Sequence, residues 1–245
     1  MKRRELLAGT TALALAAPLG AQPGPTRKIL RTAYNTAEVG FDAPQVSDQT
    51  SVAVNAHIFE SPLAYDALAL PARLSLQTAA ELPEVSADSR RFVFTLKPGI
   101  FFADDPAFKG TSPGKGRELV AADYVYSIKR LYDPRLKTEH LYHFENAKVL
   151  GLSELRRRVQ KSKGALSFDY DSEVEGLRAL DRYRFEVRLA EPDPRFLHLF
   201  ANAGLTGAVA REVVEAYGDD VMAHPVGTGP FRLKHWRRGS QIVLE

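Results

Sequence analysis

Few side-chain groupings in this sequence could do chemistry, and each can be held against the geometry its chemistry needs. Gly110-Thr111-Ser112-Pro113-Gly114 has the letters of a hydrolase nucleophile elbow. In that device the backbone N–H after the serine helps hold the oxyanion, and proline has none. No buried strand leads into the segment, so it reads as a surface loop. Residues 110–116 also imitate a phosphate-binding loop, but one residue is missing before Lys115, and Gly116 stands where a magnesium-binding hydroxyl belongs. Gly227-Thr228-Gly229 has Arg232 in place of the third glycine of a dinucleotide fingerprint and leads into an extended segment instead of a helix. No nucleotide cofactor is expected.

His140 and His143, with Glu139 and Glu145 close by, could set nitrogen and oxygen ligands on one face if residues 138–144 are helical. Tyr142 and Phe144 beside them favour an amphipathic surface helix, and no metal is assigned. Asp104-Asp105 and Asp219-Asp220 are neighbours in sequence, which points their side chains apart, and both pairs read as turn or capping residues. The chain has no cysteine. Thiol catalysis, disulfides, cysteine-ligated zinc, iron–sulfur centres and a lipidated N-terminal cysteine are thereby excluded. The expectation is a protein that is not an enzyme and carries no cofactor.

The elements that would position any site follow from hydrophobic periodicity. Residues 28–34 read as a first strand, residues 35–50 as a polar loop, and residues 51–60 as a helix with Val54 and Ile58 on one face, stopped by Pro62. Residues 91–96 alternate Phe92, Phe94 and Leu96 against Val93 and Thr95, as a strand covered mainly on one side would. Residues 121–132 repeat Val125, Ile128 and Tyr132 at helical spacing before Asp133-Pro134. The cleanest strand is 182–189, with Tyr183, Phe185, Val187 and Leu189 toward the core and Arg182, Arg184, Glu186 and Arg188 toward water. Asp193-Pro194 should open a helix burying Phe196, Leu199 and Phe200, and 211–217 should form another, closed by Gly218. Residues 231–236 and 241–245 read as a hairpin. Arg156, Arg157, Arg158, Lys161 and Lys163 read as the solvated face of a helix that buries Leu155 and Val159, not as a nucleic-acid patch. Strands and helices mix irregularly, which supports an α/β or α+β class.

Length and composition agree with a globular chain: 245 residues, 44% hydrophobic and 26% charged, with a formal charge of +3. Lys2, Arg3 and Arg4 precede an apolar run over residues 6–19, followed by Gly20-Ala21, which is the pattern of a signal peptide cleaved after Ala21. The run is too short for a lasting membrane anchor. Arg3-Arg4 also suggests the twin-arginine route. Loss of residues 1–21, which carry three cations and Glu5, would take the charge from +3 to +1, so the apparent basicity belongs mostly to this leader.

Four blocks, in order, resemble the bacterial extracellular solute-binding proteins of family 5, the dipeptide and oligopeptide type. They are His57-Ile58-Phe59-Glu60-Ser61-Pro62-Leu63-Ala64-Tyr65-Asp66; Leu82-Pro83-Glu84-Val85-Ser86 running on to Phe92-Val93-Phe94-Thr95-Leu96-Lys97-Pro98-Gly99-Ile100-Phe101-Phe102; Ala121-Ala122-Asp123-Tyr124-Val125-Tyr126-Ser127-Ile128-Lys129-Arg130; and Pro225-Val226-Gly227-Thr228-Gly229-Pro230-Phe231. The segment before residue 121 departs from the family pattern, being longer and richer in glycine and lysine.

The resemblance implies an α/β, periplasmic-binding-protein-like type II lobe with a mixed sheet, incomplete because the second lobe is missing. It implies residues 22–60 as the first lobe's N-terminal part, 61–190 as an inserted subdomain, and 191–245 as a return to the first lobe. The protein would then be the periplasmic solute-binding component of an ABC importer, holding short peptides or a similar polar solute in a cleft and meeting the permease subunits. By position, Ser47, Asp48, Gln49 and Thr50 are the ligand-contacting loop, or else Asp48 or Thr50 caps the following helix. Tyr142 is a further ligand candidate or a core side chain, and Trp236 is a cleft or a core residue. Gly227 and Gly229 would permit unusual backbone angles. The rival readings are a periplasmic hydrolase and a metal or haem carrier of the same fold.

Overall fold

A computed structural model describes residues 28–111 and 114–245. The leader at 1–21 lies outside the described residues, as do Ser112 and Pro113 of the elbow-like segment. Residues 28–34 form neither helix nor strand, and Leu30 is 92% exposed, so the expected first strand is not seen. A strand exists by virtue of the ladder beside it. These residues pair with no other strand among those described.

The first helix, α1 (Gln49–Ile58), begins where Asp48 Oδ1 accepts the Ser51 amide at 2.8 Å and buries Val54 and Ile58 as their spacing requires. Strands β1 (Leu63–Tyr65) and β2 (Leu74–Leu76) form a small antiparallel ribbon. Then come β3 (Glu84–Val85) and β4 (Arg91–Thr95), and an irregular loop leads to α2 (Ala121–Tyr132). The Asp123 side chain accepts the Val120 amide at 2.8 Å to open α2, and the helix ends before Asp133-Pro134 as expected. Helix α3 (Leu141–Ala147) and helix α4 (Leu152–Lys161) follow. In α4 Leu152 and Leu155 are buried while Arg157, Arg158 and Lys161 stay outside as foreseen; Val159 is only half-buried, Arg156 is half-buried and donates to the Tyr132 carbonyl, and Lys163 lies past the helix.

Strands β5 (Leu177–Ala179) and β6 (Arg184–Arg188) complete a four-stranded antiparallel sheet of order β3-β4-β6-β5. Residues 196–201 form a 3₁₀ segment in place of the expected α-helix. Asp193 Oδ1 turns onto the Arg195 amide at 2.9 Å, and although Phe196 and Phe200 are buried, Leu199 is only partly so. Helix α5 (Ala203–Thr206) and helix α6 (Arg211–Tyr217) come next, the latter closed by Gly218 at φ 53°. Strands β7 (Leu233–Arg237) and β8 (Gln241–Leu244) form the expected hairpin.

One face of the sheet forms the main core. Phe92, Phe94, Phe185 and Val187 pack with Tyr124 and Ile128 of α2 and with Phe196 and Phe200. The Phe94 ring lies 4.6 Å from that of Phe185 and 4.3 Å from that of Phe200. A second cluster unites Phe41, Val54, Ile58, Phe59, Tyr126 and Val209, with Trp236, Ile242 and Leu244 of the hairpin packed on it. The simple inside–outside alternation fails in one place. Val93 and Glu186, opposite each other on the outer face, are both 1% exposed, because arginines close over the carboxylate. Among the described residues, no helix is long and apolar enough to cross a membrane.

Candidate functional site

The loop carrying residues 47–50 is fastened from below by a buried ion pair. Arg130 of α2 reaches Asp42 through both guanidinium ends, Nη1 to Oδ1 at 2.6 Å and Nη2 to Oδ2 at 2.9 Å, with both side chains almost wholly buried. Burial works to lower the pKa of Arg130, but the Asp42 charge and hydrogen bonds outweigh it and hold the guanidinium above its ordinary value. A fork-on-fork pair of this kind fixes orientation as well as position.

Five residues further along, two bonds tie the same loop to the start of α3. His140 Nε2 lies 2.8 Å from the Val46 carbonyl, and Ser47 Oγ donates to Glu139 Oε2 at 2.7 Å. Tyr142, one turn beyond, is 57% exposed, with its ring 3.9 Å from that of His143. Exposure overturns the reading of Tyr142 as a core side chain. The phenol is left available instead on the element to which Ser47 is bound.

Of the four residues expected in the loop, Ser47 and Asp48 precede α1 and Gln49 and Thr50 lie in its first turn, and they differ in how much of their polarity is already used. Asp48 does cap α1 through Oδ1, while its Oδ2 is buried without a partner. Thr50 is buried and donates to the Thr36 carbonyl at 2.7 Å. Ser47 and Gln49 are exposed. The capping role foreseen for Asp48 is thus real, and it leaves one carboxylate oxygen uncommitted.

The remaining candidates resolve into structure. His140 is occupied by Val46, and burial followed by the proximity of His140 lowers the pKa of His143. Asp104 Oδ2 accepts the Gly114 amide, and Asp105 Oδ1 accepts from the Ala107 amide and the Tyr217 hydroxyl, as turn residues should. Trp236 is partly buried, donates Nε1–H to Glu38 Oε1 at 2.6 Å and meets the Phe41 ring edge-on at 4.9 Å, which makes it an anchor of the second cluster.

Gly227 and Gly229 serve a different purpose from the one expected. Neither has a left-handed φ. They let two backbones touch: a Cβ on Gly227 would fall 2.0 Å from the Ile58 carbonyl oxygen, and one on Gly229 would fall 2.7 Å from that of His57. The Gly229 amide donates to the Ile58 carbonyl at 2.8 Å and the Gly227 carbonyl accepts from Ala103 at 2.8 Å. The last turn of α1 thereby has its orphan carbonyls satisfied by the returning chain. The Asp42–Arg130 pair is not legible in the sequence. Its partners stand 88 residues apart and leave no local signal there.

Comparison with known proteins places the chain in a family. Residues 73–245 match the family described as bacterial extracellular solute-binding proteins, family 5 Middle. The periplasmic oligopeptide-binding protein OppA of Salmonella typhimurium is 27% identical over 98% of this chain and 39% of its own length. The dipeptide-binding protein of Escherichia coli is 27% identical over 77% of this chain and 34% of its own. Among solved structures, Haemophilus influenzae OppA in complex with the peptide RPPGFSPFR superposes with a TM-score of 0.66 at 21% identity, over 84% of this chain and 36% of that one. The fold is therefore that of the type II periplasmic binding proteins. The chain spans a little over a third of the length of these relatives.

Proposed function

Because this chain belongs to the bacterial extracellular solute-binding proteins, family 5, we propose that it is part of the periplasmic solute-binding component of an ABC importer, taking short peptides or a chemically similar polar solute. The observation that carries the reading is the family match over residues 73–245. That relatives of this chain are a periplasmic oligopeptide-binding protein and a dipeptide-binding protein supports this ligand class and location. Export by a signal peptide at 1–21, by the twin-arginine route, fits that location. Residues 22–60 and 191–245 are read as one lobe with 61–190 inserted into it, and the permease subunits are the partners.

Within this reading the ligand lies against Ser47, Asp48, Gln49, Thr50 and Tyr142. The exposed Gln49 amide and the Tyr142 phenol offer the acceptors and donors that a peptide backbone needs. The bond between Ser47 and Glu139 holds the loop and α3 at one rim. Binding without turnover is the expected activity. The full-length protein that carries this chain, recovered from the periplasm and titrated calorimetrically with a mixture of tri- to pentapeptides, should bind saturably and return the peptides intact, whereas the chain alone, lacking the opposing lobe, should bind weakly or not at all. Cleaved peptides would favour a hydrolase, and absence of binding by the full-length protein would refute the proposal.

A further inference from the structure

The outer face of the four-stranded sheet carries a cluster that the peptide site does not use. The register sets Arg91 of β4 against Arg188 of β6, and Val93 against Glu186, with Arg178 of β5 opposite Glu186 on the other side. Glu186 accepts a hydrogen bond from Arg91 Nε, takes Arg178 Nε at 3.0 Å and Nη2 at 2.9 Å, and lies 2.9 Å from Arg188 Nε. Burial opposes its charge, but the bonds from Arg91 and Arg188 prevail and keep its pKa below the usual carboxylate range. At the centre one carboxylate thus faces three guanidiniums, an excess of two positive charges on arginine side chains that remain 37–54% exposed, while a fourth arginine on this face, Arg184, lies 3.9 Å from Glu84.

Like charges set directly across a ladder, as Arg91 and Arg188 are, oppose sheet formation unless something offsets them. Glu186 does so only in part. Each guanidinium has five N–H groups in a fixed fork, and several on each are not engaged by Glu186. The edge strands are two and three residues long, too short to accept an added strand, so recognition here works through side chains. The same face carries a second acid, Glu84 of β3 opposite Val93 and beside Arg184, and the turns beyond the strands carry the exposed acids Asp88 and Asp181. A broad anionic surface such as a bilayer would meet those acids together with the arginines. A discrete carboxylate can seat in the centre alone.

We propose that this sheet face is a docking site for an acidic protein segment, whose Asp or Glu carboxylates pair with Arg91, Arg178 and Arg188. The test is fluorescence anisotropy of a labelled oligo-glutamate peptide with the full chain at low ionic strength. Saturable binding is expected, weakening as salt is added. Arg178→Gln should weaken it about two- to fivefold, the span of an exposed ion pair. Glu186→Gln should tighten it, because the internal competitor for the guanidiniums loses its charge, a gain that a merely structural role of Glu186 would not produce. Should that variant fail to fold, Arg178→Glu decides the matter by abolishing binding while leaving circular dichroism unchanged. No binding, equal binding by Arg178→Gln, or preferential binding of phosphatidylglycerol vesicles would overturn the proposal.

Discussion

Gly227→Ala is expected to destabilise the protein by about 3 kcal/mol or more, the upper range for an overpacked interior. The added methyl would stand 2.0 Å from the Ile58 carbonyl oxygen and 3.0 Å from the Phe59 ring. Neither can give way cheaply. The carbonyl belongs to the last turn of α1 and accepts the Gly229 amide, and Phe59 is part of the second apolar cluster. Relieving the clash therefore means separating the returning chain from α1, which also threatens the bond from Ala103 to Gly227. Gly204→Ala is the control, since its nearest neighbour would be the Asn202 side-chain oxygen at 3.3 Å, inside a helix where alanine is favoured. Urea unfolding should show a large loss for the first and a change within about 1 kcal/mol for the second. A Gly227→Ala midpoint equal to that of the parent would show that the two backbones are not in contact.

Arg130→Met should cost about 3–5 kcal/mol, because it strands the buried Asp42 carboxylate without its partner. The double variant Arg130→Met with Asp42→Asn should recover a substantial part of that loss, since the orphaned charge is removed along with the guanidinium. The sign of the coupling is the informative quantity. Strictly additive single effects would mean that the two groups do not share one desolvated environment, contrary to their 2.6 and 2.9 Å bonds. The pair fastens the loop just before residues 47–50, so its loss should also loosen that loop, read as faster amide exchange over residues 43–50.

Elements with strong local signals were legible in the sequence. Residues 121–132 and 211–217 become helices with those bounds, because a continuous apolar stripe lies between clear stops, Asp133-Pro134 in one and Gly218 in the other. The hairpin at the chain's C-terminal end was equally plain. What escaped depended on partners distant in sequence. Residues 28–34 have strand-like composition but gain no ladder among the described residues. Glu186 alternates as an outward residue, yet Arg91 and Arg178, remote in sequence or on another strand, bury it. Phe196 and Phe200 keep their burial while the backbone between them tightens to 3₁₀, a difference that periodicity alone does not register.

The candidate site shows the same division. Asp48 as a cap was readable from its position before an apolar helical run, and the structure bears it out. The bonds joining Ser47 to Glu139 and Val46 to His140 span more than ninety residues and have no local signature. Gly227-Thr228-Gly229 was recognisable as a motif, but its reason was not, since close backbone approach to α1 is visible only when both segments are placed.

The central claim is that the face carrying residues 47–50 and Tyr142 receives peptide. Residue-resolved NMR of the full-length protein that carries this chain, titrated with a tripeptide, tests it most directly. Amide shifts should move at Ser47, Asp48, Gln49, Thr50 and Tyr142 with a common saturation curve, and remain still on the arginine face of the sheet. Shifts confined to other surfaces, with these five residues silent at saturating peptide, would contradict the account.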